Sequence, residues 1–313
     1  MSVKVFIDGS SGTTGLRIAD RLAQRPEIEL LSISAEGRKD VNERAKVINS
    51  ADLAFLCLPD AASKEVMPLL RSDVKVLDTS TAFRTDAAWD YGFPELAGQK
   101  EKIQKSYRVA VPGCYASGFI SIARPLVELG LAPADYPFSC TGISGYSGGG
   151  KKMIAEYESA DRPVHSKLDA PKSYGLGLAH KHLPEMQKIS GLAHTPMFVP
   201  VVCDYYCGMQ VLVPLDLTLA GSTAEQVAEG IAAYYKDAAT VKVHALNEAL
   251  PENGLYSNAM AGTDRMELYM TVNAAGDQMM LVSVFDNLGK GSSGAAVQCM
   301  NLMLGLEETE GLE

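Results

Sequence analysis

The chain has 313 residues, of which 47% are hydrophobic and 21% are charged, a composition typical of a globular protein long enough for two domains. Its formal net charge is −10 and no basic cluster stands out, so the sequence argues against binding to nucleic acid or to an anionic membrane. No apolar run is long enough to span a membrane, and the N-terminal residues lack the features of a signal peptide, so we expect a cytoplasmic protein.

The first third of the sequence alternates between short apolar runs and segments with helical spacing. This alternation predicts an α/β fold, with a parallel sheet and right-handed crossovers. Strands are predicted at residues 3–7, 28–34, 52–59, 74–80 and 107–113. One helix is predicted directly after the glycine-rich turn at 8–15, and two more at 40–50 and 62–72.

The pattern changes after about residue 116, where apolar runs become long and rich in β-branched residues. This change predicts a second, α+β domain with a mixed, largely antiparallel sheet. The last segment, 291–308, is apolar on one side and predicts a helix that returns to the first domain. The β-rich runs lie at 137–144, 197–219, 267–273 and 279–286, and the clearest helix between them at 223–237.

The turn after the first strand, DGSSGTTG, spaces three glycines as GxxGxxG between a strand and a helix. Glycines here permit a tight turn, a close approach of pyrophosphate to the backbone and close helix–strand packing, and the helix N-terminus offers N–H groups to phosphate. A glycine-rich turn without a ligand is the alternative, because the commoner fingerprint is GxGxxG. The pattern predicts a dinucleotide site formed by Gly9, Ser11, Gly12, Thr13, Thr14 and Gly15.

The segment after the second strand, SISAEGRKD, bears on the choice between NAD and NADP. Hydroxyl groups of Ser32 and Ser34 and the cations Arg38 and Lys39 suit a 2′-phosphate and favour NADP, with Ser34 and Arg38 as cofactor-binding residues. Glu36 keeps NAD open, since an acidic residue here binds the ribose hydroxyls of NAD. A solvated charged loop is the alternative.

Cys114 follows a proline–glycine turn in VAVPGCYASG and precedes a run with helical character. A helix that begins here would stabilise a thiolate with the positive end of its dipole, and a thiolate at this edge of a parallel sheet is a natural acyl acceptor. The other five cysteines lie in apolar runs or in the C-terminal helix, where buried structural thiols are expected. We expect free thiols, because the spacing suggests no structural disulfide.

Two histidines occur together in AHKHLPE, residues 179–185, and supply the acid/base partner that a thiolate nucleophile requires. In an extended segment His180 and His182 would share one face. Zinc is the competing interpretation, but no third or fourth ligand is evident nearby, and we predict no metal.

A second glycine-rich stretch, SGYSGGGKK at 144–152, departs from the P-loop pattern at Lys152. We therefore interpret it as an active-site loop, with a plain flexible loop as the alternative.

Several segments in order along nearly the whole chain resemble N-acetyl-γ-glutamyl-phosphate reductase, the NADPH-dependent reductase of arginine biosynthesis. This reductase family is similar to aspartate-semialdehyde dehydrogenase. The length of this chain resembles the shorter of the two forms of the reductase family. The segments are GSSGTTGLRI (9–18), FLCLPDAAS (55–63), LDTSTAFR (77–84), YGFPEL (91–96), VPGCYASG (111–118), GISGYSGGGK (142–151), HKHLPE (180–185) and DNLGKGSSGAAVQ (286–298).

The resemblance implies a Rossmann domain, residues 1–113 with 288–313, that binds NADP, and a catalytic and oligomerisation domain, residues 114–287, in a homodimer or homotetramer. It implies that Cys114 is the nucleophile and that His182 is the acid/base with His180 orienting substrate, although the sequence does not separate the two histidines. It also implies that Arg84 meets the substrate phosphate, which bidentate guanidinium geometry suits. The matching motifs add Pro59, Asn287 and Gly291 for the cofactor, and Ser80, Ser144, Gly145, Lys151 and Glu185 for the substrate.

The chain departs from this family in the strand region FVPVVCDYYCGM, which lacks an arginine that many members carry. A second anion contact is therefore unassigned, with Lys151, Lys181 and backbone amides as substitutes. Aspartate-semialdehyde dehydrogenase is the nearest alternative function, but that family usually shows GNC where this chain has PGC. A non-catalytic NADP-binding sensor and a thiol hydrolase that uses Cys114 and His182 are the alternatives from other classes.

Overall fold

The computed structural model describes residues 2–313, so the first residue of the expected N-terminal domain lies outside the described residues. The described chain divides into two compact units. The first unit runs to Gly113 and resumes over Ser292–Leu312, and the second comprises Cys114–Gly291 with Glu313. None of the helices in residues 2–313 combines the length and the apolar character that a membrane span needs.

The first unit is built from strands that alternate with helices, as the sequence pattern predicts. Three of its strands, β1, β3 and β4, are short runs of mostly buried residues, which is typical of strands covered on both faces. Its elements are β1 (Val3–Asp8), α1 (Thr13–Leu22), β2 (Ile28–Leu31), α2 (Val41–Ser50), β3 (Leu53–Leu56), α3 (Asp60–Val66), β4 (Lys75–Asp78), β5 (Asp90–Tyr91), α4 (Gln99–Lys105) and β6 (Arg108–Ala110).

These strands form one six-stranded parallel sheet in the order β2–β1–β3–β4–β6–β5. Alternate residues of β1 enter separate apolar clusters, because successive strand side chains point to opposite faces. Val5 and Ile7 join one cluster, and Phe6 joins the other. The predicted parallel α/β sheet is thus confirmed, and the carboxyl ends of β1 and β3 lie side by side with Asp8 paired to Leu56.

The second unit carries the longer strands. Its elements are α5 (Cys114–Glu128), β7 (Ser139–Gly145), α6 (Gly150–Tyr157), β8 (Lys172–Ser173), α7 (Leu183–Ser190), β9 (Met197–Cys203), β10 (Met209–Asp216), α8 (Leu217–Ala220), α9 (Ala224–Tyr234), β11 (Val241–Val243), β12 (Met266–Val272) and β13 (Gln278–Phe285). The chain then passes through a π-helical turn at Gly289–Ser293 into α10 (Gly294–Leu304), which belongs to the first unit.

A seven-stranded mixed sheet in the order β11–β12–β13–β10–β7–β9–β8 forms the centre of the second unit. The pairs β12–β13, β13–β10, β10–β7 and β9–β8 are antiparallel, and β11–β12 and β7–β9 are parallel. Helix α5 packs on β10 and β13. Gly118 permits this packing, because a Cβ at that position would lie 2.6 Å from the side chain of Val211. The mixed, largely antiparallel sheet is confirmed.

The structure refines several predicted boundaries. The apolar run 197–219 contains two strands, β9 and β10, joined by a turn, and the predicted C-terminal helix is regular only over Gly294–Leu304. The helix predicted to begin near Cys114 begins at that residue. The two-residue strands β5 and β8 give no sequence signal, because two residues cannot display a strand period.

Candidate functional site

The glycine turn of the first unit has the geometry that the sequence predicts. Gly9 has a φ of +87°, and a Cβ on it would lie 2.3 Å from the carbonyl oxygen of Cys57. A Cβ on Gly15 would lie 2.5 Å from the carbonyl oxygen of Gly9. Only glycine fits these positions, because either a left-handed backbone or a backbone contact excludes a side chain. Gly12 precedes α1, and no side chain among the described residues caps that helix, so its first N–H groups can bind an anion.

A cavity of about 370 Å³ adjoins this turn. Gly9, Ser10 and Ser11 line one part of it, and Ser32 and Arg38 bring a hydroxyl and a guanidinium group. The remaining lining residues are the apolar or acidic residues Phe6, Ile7, Asp8, Ala19, Leu30, Leu31, Ile33 and Leu58. A cavity with apolar walls, backbone amides and a cation has the chemistry of a nucleotide site.

Ser34 does not line this cavity. Its hydroxyl oxygen accepts a hydrogen bond from the backbone N–H of Gly37 at 3.0 Å, and it thereby fixes the turn that carries Arg38. Thr14 contacts the hydroxyl of Ser292 at 3.0 Å, within the same unit. Pro59 directly precedes α3, where its carbonyl oxygen accepts from the N–H groups of Ala62 and Ser63.

A buried ion pair lies beneath the turn and is absent from the sequence-based predictions. The Nε of Arg44 donates to Oδ2 of Asp8 at 2.8 Å, and both side chains are buried. Burial raises the pKa of Asp8, while the bonded guanidinium opposes that shift. The pair holds α2 to the end of β1. The acidic residue at the end of a first strand is the signal that sequence analysis could have used.

Ser80 and Arg84 are both buried at the end of β4. The hydroxyl of Ser80 donates to Oδ1 of Asp78 at 2.6 Å, and burial raises the pKa of that carboxyl. Arg84 donates from Nε to the carbonyl oxygen of Val111 at 2.9 Å and from a terminal nitrogen to that of Thr79 at 2.9 Å. These bonds fix the guanidinium group to the backbone. Its contact with a substrate phosphate stays a prediction.

In the second unit, Cys114 is the first residue of α5 and is half-buried. Gly291 lies against it, since a Cβ on Gly291 would be 3.0 Å from the Cβ of Cys114. The helix N-terminus places a positive partial charge beside the thiol, which favours the thiolate. The six cysteines, all within residues 2–313, form no disulfide.

The other cysteines differ from Cys114 in their surroundings. Burial raises the pKa of Cys57 to about 12, and it also raises the pKa of Cys140 and of Cys203. Nucleophilic reactivity belongs to the thiolate, so these three thiols are poor nucleophiles at neutral pH.

His180 and His182 lie in contact, with ring centroids 4.7 Å apart and ring planes at 85°. A turn, not an extended segment, produces this contact, because the backbone N–H of His182 donates to Nδ1 of His180 at 3.2 Å. His182 is buried and directly precedes α7. Burial, and then the charge of Lys181, lower the pKa of His180 to about 4, so its imidazole is neutral at physiological pH.

Tyr115 joins the cysteine to the histidine pair. It follows Cys114 in α5, is buried, and packs with its ring centroid 5.9 Å from that of His180 and 6.2 Å from that of His182. The sequence-based candidates omit this tyrosine. Its position beside the cysteine in PGCY was the available signal, but an aromatic residue at a helix start is more often simply part of the core.

The glycine-rich stretch of residues 144–150 covers the end of β7, a short 3-10 turn at Tyr146–Gly149 and the first residue of α6. The N–H of Gly145 donates to the carbonyl oxygen of Gly208 at 3.0 Å, and a Cβ on Gly145 would lie 2.6 Å from the carbonyl oxygen of Tyr205. Asn287 fastens the same region, since its Oδ1 accepts from the N–H of Gly208 at 2.8 Å and its Nδ2 donates to the hydroxyl of Ser147 at 3.0 Å. The stretch is therefore an ordered turn packed on a neighbouring loop.

The remaining predicted substrate residues of this unit differ in exposure. Ser144 and Glu185 are buried, Glu185 in the first turn of α7, whereas Lys151 is exposed on α6. Across residues 2–313, no three histidine, cysteine or acidic side chains gather where they could hold a metal ion.

The fold defines a class of dehydrogenase in which a nucleotide-binding unit is joined to a second unit, which in this chain begins at Cys114. A family model described as "Semialdehyde dehydrogenase, NAD binding domain" matches residues 4–106, and one described as "Semialdehyde dehydrogenase, dimerisation domain" matches residues 114–287. The first match supports a nicotinamide cofactor for this chain.

Curated relatives are more specific. The chain is 46% identical to N-acetyl-gamma-glutamyl-phosphate reductase of Trichormus variabilis over 99% of both chains. It is also 46% identical to the reductase of the same name from Burkholderia cenocepacia strain HI2424, over 96% of this chain and 97% of the relative. The chain therefore belongs to the N-acetyl-γ-glutamyl-phosphate reductases of the semialdehyde dehydrogenase family, which confirms the predicted resemblance.

Solved structures agree on the fold. Aspartate semialdehyde dehydrogenase II of Vibrio cholerae is 17% identical, with a TM-score of 0.71 over 97% of this chain and 99% of that one. Aspartate semialdehyde dehydrogenase of Francisella tularensis is 14% identical, with a TM-score of 0.72 over 96% of this chain and 100% of that one. At these identities the likeness concerns the fold alone.

Proposed function

We propose that this chain reduces N-acetyl-γ-glutamyl phosphate to N-acetylglutamate semialdehyde and inorganic phosphate with NADPH, a step of arginine biosynthesis, through a thioester on Cys114. The observation that carries the proposal is the position of Cys114 at the N-terminus of α5, with Tyr115 of the same turn packed on both histidines. The names of the relatives supply the substrate.

The first half of the reaction needs a nucleophile. The Cys114 thiolate attacks the γ-acyl carbon, a carbon–sulfur bond forms, and the bond from carbon to the phosphate oxygen breaks as phosphate leaves with the electron pair. Backbone N–H groups at the start of α5 suit the negative charge of the tetrahedral intermediate. The thioester that results is a better hydride acceptor than a carboxylate, so the energetically difficult reduction is divided into two easier steps.

The second half needs a hydride and a proton carrier. A bound nicotinamide cofactor would supply the hydride to the thioester carbon. We assign His182 the role of donating a proton to the resulting oxyanion. The proton then returns to His182 as the carbon–sulfur bond breaks, which releases the aldehyde and regenerates the thiolate. His180 is less suited to this role, because its Nδ1 already accepts a hydrogen bond and its pKa is about 4. We assign His180 to substrate orientation.

The remaining roles follow from charge and position. Arg84 is proposed to bind the substrate phosphate, and Ser80 to act beside it in the same unit. Ser144, Gly145, Lys151 and Glu185 are proposed as further substrate residues, and of these the exposed Lys151 has the weakest structural support. Asn287 and Gly291 are proposed for the nicotinamide end of the cofactor. Gly291 leaves room beside Cys114, and Asn287 holds the loop that contains Ser147.

The lining of the cavity in the first unit supports NADP as the proposed cofactor. Gly9, Ser11 and Arg38 line the cavity, and Gly12 directly precedes α1. The combination of hydroxyls with a guanidinium group favours NADP over NAD, since a 2′-phosphate gains a charge-assisted hydrogen bond from arginine.

We further propose that the chain forms a homo-oligomer through the open face of its mixed sheet. Thr141, Ile143, Val199, Val201 and Leu212 alternate with fully buried residues on β7, β9 and β10 and remain half-exposed. A largely apolar sheet face of this kind is typical of homo-oligomer interfaces. The matching family model is itself named for dimerisation.

The deciding experiment is the phosphate-dependent oxidation of N-acetylglutamate semialdehyde with NADP, compared between wild type and Cys114→Ser. We expect turnover in the wild type, none in Cys114→Ser, and unchanged NADP binding in both. Cys299→Ser is the matched control and should keep the wild-type rate, since Cys299 lies in α10, has no assigned role, and donates to the carbonyl oxygen of Gly92, a bond that serine can keep. Turnover with aspartate semialdehyde but not with N-acetylglutamate semialdehyde would show that the proposed substrate is wrong. No turnover with either aldehyde would overturn the proposal.

A further inference from the structure

We propose that Tyr115 is a positioning residue: its ring forms the wall that holds the imidazoles of His180 and His182 in their mutual orientation. This inference rests on the proposed function, because it assigns Tyr115 an effect on the reaction at Cys114. Tyr115 meets His180 edge-on, with ring planes at 88°, and lies tilted to His182 at 56°. It therefore contacts both histidines at once.

Two neighbours hold the tyrosine ring itself in place. Phe198 of β9 packs edge-on against it at 5.1 Å between centroids. The backbone of β7 lies under it, because a Cβ on Gly142 would come within 2.4 Å of its Cδ1 and 2.6 Å of its Cε1. The absence of a side chain at Gly142 thus creates the space that the ring occupies. Phe198 also contacts His180 at 5.2 Å, so the aromatic wall is continuous.

The hydroxyl of Tyr115 anchors the outer end of the ring. It donates to the carbonyl oxygen of Val201 at 3.2 Å and is within hydrogen-bond contact of Tyr174. Burial raises the pKa of Tyr115 well above 10, so the group remains a neutral donor throughout the working range of pH. These polar contacts orient the ring, but the ring surface is what touches the histidines.

This arrangement links the nucleophile to its proton carrier through one helical turn. Cys114 and Tyr115 are consecutive residues of α5, so a change in the ring position alters the histidines without removing the thiol. A catalytic group displaced by about 1 Å can lose about 100-fold in rate. The expected signature is a fall in kcat, because the ring positions His182, with a smaller change in KM through the substrate-orienting His180.

The test compares Tyr115→Leu, which removes the ring, with Tyr115→Phe, which keeps it and removes only the hydroxyl. We expect kcat to fall at least about tenfold in Tyr115→Leu and to stay within about threefold of wild type in Tyr115→Phe. Gly142→Ala is a second route to the same effect, because its methyl group displaces the ring. Phe119→Leu is the matched control. Phe119 lies in the same helix, is fully buried and packs edge-on to Phe138.

A second readout does not depend on turnover. NMR titration of the histidine ring protons follows His180, whose pKa of about 4 reflects its burial and the charge of Lys181. Loss of the ring in Tyr115→Leu admits water and should move this pKa toward 6.5, whereas Tyr115→Phe and Phe119→Leu should leave it unchanged.

The proposal is overturned if Tyr115→Leu and Gly142→Ala keep the wild-type kcat and the wild-type titration of His180. It is equally overturned if Phe119→Leu loses as much activity as Tyr115→Leu, since the effect would then be one of general packing. Failure of the proposed function is distinguishable, because an inactive wild type would leave the titration comparison between the ring variants intact.

Discussion

Burial lowers the proton affinity of the His180 imidazole. His180 lies beside Tyr115, His182, Tyr174 and Phe198, and Lys181 adds a positive charge next to it in the sequence. Both the loss of water and the lysine disfavour the imidazolium form, with burial as the larger cause. A pKa that differs between the folded and unfolded chain is also a contribution to stability that depends on pH.

The direction of that dependence follows from proton binding. The folded pKa of about 4 lies below the ordinary value of 6.5, so between these values the unfolded chain binds more protons at His180. The contribution of His180 to the free energy of unfolding is therefore fully present above about pH 6.5 and is lost as the pH falls toward 4. We expect His180→Gln and His180→Phe to abolish this pH-dependent decrease in the free energy of unfolding. Each variant can also differ from wild type by an amount that does not depend on pH.

Urea unfolding of wild type and both variants at several pH values between 4 and 7.5 measures this effect. The unfolding free energy of wild type minus that of each variant should fall as the pH falls. A difference that stays constant across this range would contradict the assigned burial of the imidazole.

Single residues also mark the limit of sequence-based prediction. The sequence singled out Cys114 and both histidines by motif and residue chemistry, and Arg84 through the family resemblance, and their roles stay predictions. It did not single out Tyr115, since the role proposed here rests on contacts with His180 and His182, more than 60 positions away in the chain. It also assigned Ser34 to the cofactor, which stays a prediction; the serine hydroxyl accepts a hydrogen bond from its own turn.

At the scale of the element, the glycine turn between β1 and α1 depends on steric exclusion as well as on backbone freedom. Gly9 and Gly98 both have positive φ, +87° and +69°, and both belong to the first unit. A Cβ on Gly9 would meet the carbonyl oxygen of Cys57 at 2.3 Å, while a Cβ on Gly98 meets nothing within 4 Å. The two positions therefore separate the conformational cost from the steric one.

We predict that Gly98→Ala costs about 1–2 kcal/mol of stability, the ordinary cost of a left-handed residue with a side chain, and leaves NADP binding unchanged. Gly9→Ala should cost more and weaken NADP binding at least about tenfold, because the turn must move away from β3. Equilibrium titration with NADP and urea unfolding measure the two effects. Equal losses in both variants would show that the contact with Cys57 is unimportant.

Elements were predictable where the sequence pattern is long or punctuated. The start of α5 follows from the proline–glycine turn before Cys114, and the strands other than β5, β8 and β11 follow from their apolar runs. The short helices α4 and α7 have only seven and eight residues, about two turns. A helical period is too short to recognise in the sequence over that length. The turn inside 197–219 was hidden, because the flanking strands are both apolar.

At the scale of the whole molecule, the chain leaves the first unit after Gly113 and returns to it at Ser292. The returning helix α10 supplies Val297, Met300 and Met303 to the same apolar cluster as Val5 and Ile7 of β1. The backbone carbonyl of Met303 also accepts from the Nζ of Lys75. The sequence predicted this helix from its apolar side but gave no signal of which strands it would contact.

This topology predicts that the N-terminal unit is weakened by substitutions near the C-terminus. Met300→Ala should lower the free energy of unfolding of the first unit by about 2–5 kcal/mol, because Met300 is fully buried and truncation leaves a cavity. Met300→Leu conserves volume and should cost less than about 1.5 kcal/mol. The single tryptophan, Trp89, stacks on Phe83 within the first unit, so its fluorescence during urea unfolding reports on that unit. An unchanged Trp89 transition in Met300→Ala would contradict the assignment of α10 to the core of this unit.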